Sequence, residues 1–320
     1  MAAHDLTFGV FVPQGWKMEL SSIADPQDKW AKAVEVAQLA EELGFDSLWV
    51  YDHFHNVPLP AHEAMFECWT TLAAISQRTS RIKLGQMVGC APYRNPGLLA
   101  KITSNIDVMS GGRLIWGVGA GWYDHEFAGY GYDFPKASDR IAMLRETVEI
   151  VKAMWSEPDV TYSGKYFSLT GGQCDPKPLQ QPHPEILIGG GEQLTLRVVA
   201  RHADASNFGG KPHEWQHKAE VLQEHCRAVG RDYDEIRKTI SSEVFIRETE
   251  QEIIDAGSKS FWGEPFESWR EGNLVGTPEQ VAEKIQRYVD LGCTGFYPWC
   301  SDYPDTETVR LFARVADHLR

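Results

Sequence analysis

The chain has 320 residues, of which 42% are hydrophobic, and a formal net charge of −14. Such acidity excludes nucleic acid and anionic membranes as main partners, and no apolar run is long enough to span a bilayer. The length accommodates two ordinary domains or one large α/β barrel.

The opening stretch, MAAHDLTFGVF, lacks a basic start followed by an apolar core and cleavage site, so it reads as carrying no export signal. Leu6–Val12 is an apolar strand pattern. A helical pattern follows, with Val36, Leu39, Ala40 and Leu43 on one face and Gly44 as its stop. SLWVY then predicts a strand, EAMFECWTTLAAISQRT a helix and IKLGQMV a strand. GLLAKITSNIDVMS predicts the next helix, RLIWGVG a strand, and DRIAMLRETVEIVKAMW a long helix. CDPKPLQQPHP reads as an excursion before the fifth strand, EILIGG. The sequence continues with QLTLRVVARHA (helix), ASNFGG (strand), EWQHKAEVLQEHCRAVG (helix) and ISSEVFI (strand). Thr277 as N-cap, Pro278 at the first helical position and Gln280 two residues on start another helix. GFYPW and DTETVRLFARVADHL close the series.

Eight strand–helix units with nearly all-apolar strands predict parallel strands covered on both faces, hence a single (β/α)₈ TIM barrel over residues 1–320. A doubly wound sheet is the alternative. An insertion at about 247–275 has no sustained period and reads either as a cover over the site or as a surface excursion. Six scattered cysteines without a C-x-x-C pair read as reduced thiols, which with the missing leader predicts a cytoplasmic protein.

In such a barrel the active site lies at the C-terminal strand ends. Asp52 and His53 stand just past the second strand. His53 and His55 form an H-x-H pair of the kind that ligates metal, but a metal site needs further ligands on other strands, and none is assigned here. The ordinary reading is a satisfied polar strand end. Glycine-rich stretches follow the fourth strand (Gly117, Gly119, Gly121) and the fifth (Gly189, Gly190, Gly191). Either turn tightly or bring backbone against a phosphate. Neither has Rossmann or P-loop spacing. Together with Asp-His on another strand they point to a phosphorylated cofactor.

LGFDSLWVYDHF, RIKLGQMVGCAPYRNPGLLAK, GGRLIWGVGAGWYDHEFAGYGYDFP, PKPLQQPHPEILIGGGEQLTLRVVARHAD and GTPEQVAEKIQRYVDLGCTGF together resemble the luciferase-like monooxygenase superfamily, in particular its coenzyme F420 (deazaflavin)-dependent oxidoreductases. The resemblance spans nearly the whole chain, with W…E…YG…FP after the fourth strand its most specific part. It implies a bacterial luciferase-like barrel, and hydride transfer between F420 and a small organic substrate: alcohol oxidation, or reduction of an activated alkene, imine or nitro group. It further implies His53 as the proton-transferring group, Asp52 as a cofactor-contacting carboxylate, and a bulge at Met87 and Val88, with a cis peptide between them, behind the deazaflavin. Gly189, Gly190 and Gly191, with Glu192 and Thr195, form the phosphate-side loop, and Gly121 and Trp122 complete the cofactor-facing set. Trp122 stands where the sugar-phosphate dehydrogenases carry an acid, which counts against glucose 6-phosphate as substrate. The resemblance also implies a homodimer. Of the aromatics near the mouth (Trp16, Phe54, Trp122, Tyr130, Trp299), only Trp122 is assigned to the pocket. The alternatives are an FMN-dependent monooxygenase using reduced flavin and O₂, and a non-catalytic flavin-binding protein.

Overall fold

The structure is a computed structural model and describes residues 5–320. The first four residues, on which the reading of the N-terminus partly rests, lie outside the described residues. Eight parallel strands close into a barrel: β1 (Thr7–Phe11), β2 (Ser47–Val50), β3 (Lys83–Gln86), β4 (Leu114–Gly119), β5 (Glu185–Gly189), β6 (Ala205–Asn207), β7 (Arg237–Ile240) and β8 (Gly295–Phe296). β1 pairs with both β2 and β8, and β3 pairs with β4, so no barrel edge is left open. The eight outer helices are α1 (Pro26–Glu42), α2 (Cys68–Ser76), α3 (Pro96–Ser110), α4 (Ala137–Ser156), α5 (Gln193–His202), α6 (Pro212–Val229), α7 (Pro278–Val289) and α8 (Glu307–Leu319).

Strand alternation splits the apolar residues into two cores. Phe8, Val10, Leu48, Val50 and Leu84 point outward and pack under the helices. Phe11, Trp49, Tyr51, Ile115 and Tyr297 point inward and fill the barrel axis. α7 begins as its sequence requires: Thr277 accepts from the Gln280 amide, and the Gln280 side chain accepts from the Thr277 amide.

Three elements depart from the sequence reading. ISSEVFI is not one barrel strand. The barrel strand is the preceding Arg237–Ile240, the chain breaks at Ser241–Ser242, and Glu243–Ile246 becomes the centre of a separate three-stranded parallel sheet with Leu274–Gly276 and Trp299–Cys300. Arg237–Ile240 reads RKTI, with only Ile240 apolar, so hydrophobic patterning passes over it and starts the strand at Ile240, running on into EVFI. The insertion is not structureless: it folds as helices Glu250–Ala256 and Phe266–Gly272, which bury Ile253 and Trp269 against Phe245 and Val275. Before the Pro-rich excursion stands a two-stranded antiparallel hairpin, Val160–Ser163 with Ser168–Gly172, which the sequence reading left out. The six cysteines are buried and unpaired, and no helix of the described residues is long and apolar enough to cross a membrane.

Candidate active site

The C-terminal strand ends surround a cavity of about 490 Å³. Asp52, His53, Met87, Val88, Gly121, Trp122, Gly189, Gly190, Glu192 and Thr195 all line it, so the fold gathers residues from four strand ends into one place. Gly191 does not line it. Its Cα faces the aliphatic stem of Lys218, where a Cβ would come within 2.7 Å.

His53 is held on two sides. Its ring lies on the Trp16 indole, with centroids 4.3 Å apart and planes within 2°. Its Nδ1 is 2.8 Å from Glu126 Oε2. Glu126 stands on a short helix, Asp124–Gly129, that follows β4, and it is fully buried. The Tyr93 hydroxyl also donates to Oε2, at 2.8 Å, while the amides of Phe54 and His55 donate to Oε1 at 2.6 and 2.9 Å. Burial works to raise the Glu126 carboxyl, but the His53 contact and the two amides outweigh it and hold the group below its ordinary value. An ionised Glu126 fixes the proton of His53 on Nδ1 and leaves Nε2 for the cavity. Sequence reasoning missed Glu126 as a partner of His53, although it is the E of the W…E…YG…FP stretch. Seventy-three residues separate the two, and only the barrel brings them together.

Asp52 lines the cavity but is fully engaged. Arg94 grips it in bidentate fashion at 2.6 and 2.8 Å, and the Cys90 amide donates to Oδ2 at 2.8 Å. Arg94 also donates to Glu67 Oε1 at 2.9 Å. This buried network ties the end of β2 to the stretch after β3. It leaves Arg94 no free face for a phosphate, and Lys101 is spent on the Asp175 carbonyl.

His53 and His55 diverge. His53 faces Glu126, whereas His55 Nδ1 meets His125 Nδ1 at 2.8 Å on an exposed surface. Among the described residues no group of three or more His, Cys, Asp or Glu side chains is placed to hold a metal ion.

The Met87–Val88 peptide is cis, as the resemblance implies, and both residues line the cavity. The glycines beside them serve the protein itself. A Cβ on Gly119 or Gly189 would come within 2.7 or 2.8 Å of the Val88 side chain, so these glycines admit Val88 between the ends of β4 and β5. Gly121 does approach the site, at φ +75° against Cys90 and Phe127. Gly190 adopts φ +125°, a backbone open mainly to glycine. It lies over Thr195 in the first turn of α5, and no side chain caps that helix. Uncapped first-turn amides with a buried threonine hydroxyl suit an anionic oxygen. A phosphorylated cofactor therefore fits the donor set of this loop.

Of the aromatics, Trp16, Trp122 and Trp299 line the cavity. Phe54 and Tyr130 instead stack on each other at 4.2 Å, away from it. The assignment of Trp122 alone is thus too narrow: Trp16 and Trp299 also face the cavity, because the β1 and β8 ends converge there. The insertion contributes Trp262 to the cavity and sets Phe261 against Trp16, with ring centroids 6.3 Å apart.

Residues 6–265 match the family model for luciferase-like monooxygenases. The chain belongs to the luciferase-like monooxygenase family. Within it, the chain is similar to the F420-dependent glucose-6-phosphate dehydrogenase of Segniliparus rotundus, 30% identical over 322 residues that cover 90% of this chain and 93% of that one. A solved F420-dependent secondary alcohol dehydrogenase, holding an F420–acetone adduct, superposes with a TM-score of 0.82 at 20% identity over 99% of this chain and 100% of that one. The oxygenating constituent of 3,6-diketocamphane monooxygenase from Pseudomonas putida, in complex with FMN, gives 0.78 at 20% identity over 99% of each chain. At such identities the two structures show the luciferase-like barrel shared by members with different cofactors.

Proposed function

We propose that the chain is one barrel domain acting as an F420-dependent oxidoreductase on a small organic substrate, with His53 as the group that moves the proton. The observation that carries the reading is His53, backed by Glu126, stacked on Trp16 and facing the cavity that Met87, Val88, Gly190 and Thr195 also line. The full-length likeness to an F420-dependent dehydrogenase supports F420 over FMN. Met87 and Val88 would lie against the ring system, and Gly190, Glu192 and Thr195 would meet the phosphate side.

The cofactor, when bound, supplies hydride acceptance or donation. The protein's part is the proton. In alcohol oxidation, the free Nε2 of His53 takes the hydroxyl proton as the carbinol carbon gives up hydride. The buried Glu126 carboxylate stabilises the imidazolium that forms, and Trp16 keeps the ring from rotating. In the reverse sense the imidazolium returns the proton to a substrate reduced by hydride, so one arrangement serves either direction. Trp122, in the place of the acid of the sugar-phosphate dehydrogenases, counts against glucose 6-phosphate. Glu126 does not restore that acid, because it contacts His53 from the closed side and does not line the cavity.

Titration of the protein with F420 and, separately, FMN, followed by fluorescence quenching, tests the cofactor. Saturable F420 binding at least tenfold tighter than FMN is expected. The opposite order would move the chain to the FMN-dependent monooxygenases.

A further inference from the structure

Four hydrogen-bond donors beside His53 have no acceptor. Trp16 Nε1, Lys17 Nζ, the Tyr51 hydroxyl and Trp299 Nε1 are buried, and among the described residues none has a hydrogen-bond partner. All four side chains line the 490 Å³ cavity. Lys17, Tyr51 and Trp299 also line an adjoining cavity of about 220 Å³ on the β1–β8 side. An unsatisfied buried donor destabilises the fold, and folded proteins tolerate few of them. Four around one space are explained by an acceptor that arrives from outside the chain.

Lys17 is the centre of the group. Its Nζ lies 2.9 Å from the Trp299 ring centroid and 5.2–5.4 Å from those of Tyr51, Trp16 and Phe261. Burial pushes its pKa well below the ordinary lysine value, so an arriving anion is what would hold the proton on it. Ring faces stabilise a cation, but they accept none of its N–H groups in the way an oxygen does. The two carboxylates nearest in electrostatic influence are Glu19 and Glu243, and both are spent elsewhere. Glu19 accepts from the amides of Gln14, Gly15 and Lys17. Glu243 accepts from the Trp269 indole and the Ser301 hydroxyl. Neither forms an ion pair with the Lys17 ammonium.

We propose that Lys17, Tyr51 and Trp299 form a recognition site for the carboxylate of a monoanionic substrate whose reacting carbon lies at His53. Carboxylate oxygens offer about four lone-pair positions, enough for several donors at once, which a single neutral carbonyl is not. A phosphate dianion fits less well, because one lysine faces it while Glu19 and Glu243 repel it. The aromatic walls suit an apolar body attached to the carboxylate. The inference rests on the 490 Å³ cavity being the active site and names the substrate class that this site would take.

Calorimetric titration of the protein, with and without saturating F420, separates the possibilities. The probes are benzoate, its neutral isostere benzamide, and phenyl phosphate. Benzoate is expected to bind at least tenfold tighter than either of the others. Lys17→Met should abolish that preference while leaving F420 affinity within twofold. Trp299→Phe keeps the ring and removes one donor, so it should weaken benzoate several-fold and leave benzamide unchanged. This second variant decides the matter if Lys17→Met does not fold. Equal affinity for benzoate and benzamide, a preference that survives in Lys17→Met, tighter binding of phenyl phosphate, or no benzoate binding at millimolar concentration would each overturn the proposal. The cofactor reading fails separately, if benzoate is preferred but F420 does not bind.

Discussion

Glu126 holds His53 from behind: its Oε2 lies 2.8 Å from the imidazole Nδ1, while Trp16 covers the ring face at 4.3 Å. Tautomer, orientation and counter-charge of one histidine are thereby set by two residues from different strand ends. The first prediction concerns the histidine itself. His53→Ala should bind F420 within about threefold of the wild-type protein and lose about 10²–10⁴-fold in turnover, the usual worth of a positioned acid or base. Fluorescence titration and steady-state kinetics on a verified substrate check the two halves. Retained turnover would remove the proton-transfer role.

Glu126→Gln tests the partner. The amide keeps the shape but cannot hold a full negative charge beside the ring, so the Nδ1 proton and the imidazolium both lose support. Expected is a loss of about 10–100-fold in kcat with KM changed less than threefold, and an altered pH–rate profile. A merely structural role would lower stability and leave the pH profile where it was.

The phosphate loop yields a binding prediction. Gly190 sits at φ +125°, and a Cβ there would meet Thr195 Cγ2 at 3.1 Å. Gly190→Val should strain the loop and displace its amides, weakening F420 by at least tenfold, equivalent to about 1.4 kcal/mol. The melting temperature should be recorded alongside. Wild-type affinity in a folded variant would put the phosphate elsewhere.

Arg94 is predicted to matter for stability. Its side chain is 12% exposed, and its partner Asp52 is completely covered. Arg94→Ala would strand a buried carboxylate, at a cost of about 3–5 kcal/mol. Denaturant unfolding measures this, and the double variant Asp52→Asn/Arg94→Ala should recover part of the loss.

Glu41 offers a pH prediction on the opposite face of the barrel. Burial alone would raise its carboxyl, but the amides of Ile82, Arg81 and Ser80 overcome this and bring it from 4.5 down to about 2. A carboxyl depressed in the folded state stabilises above its unfolded value, and that stability is lost as pH falls through the folded value. With solvent access discounted, Glu41→Gln should cost about 1–2 kcal/mol at pH 7. The difference should shrink below about pH 4.5 and vanish near pH 2. A pH-independent difference in unfolding free energy would show that the carboxylate charge contributes nothing.

Most strands of the barrel, though not Arg237–Ile240 (RKTI), in which only Ile240 is apolar, were legible in the sequence because they are short apolar runs with turn residues at both ends, as buried parallel pairing demands. Helix starts such as Thr277–Pro278–Gln280 were legible for the same reason, since capping is local chemistry. His53, Asp52, Gly190 and Thr195 could be placed near the site because strand ends converge in any such barrel. The partners of those residues could not. Glu126 against His53, Arg94 against Asp52 and Trp16 beneath the imidazole are contacts between different loops, set by the closure of the sheet and not by spacing along the chain. The same holds for the glycines, two of which make room for Val88, and for the break at Ser241–Ser242, where the chain leaves the barrel for a second sheet. Local sequence determines which element forms and which of its faces is apolar. Which side chains meet across loops depends on barrel closure and on how the loops pack over the mouth, and those are properties of the assembled chain.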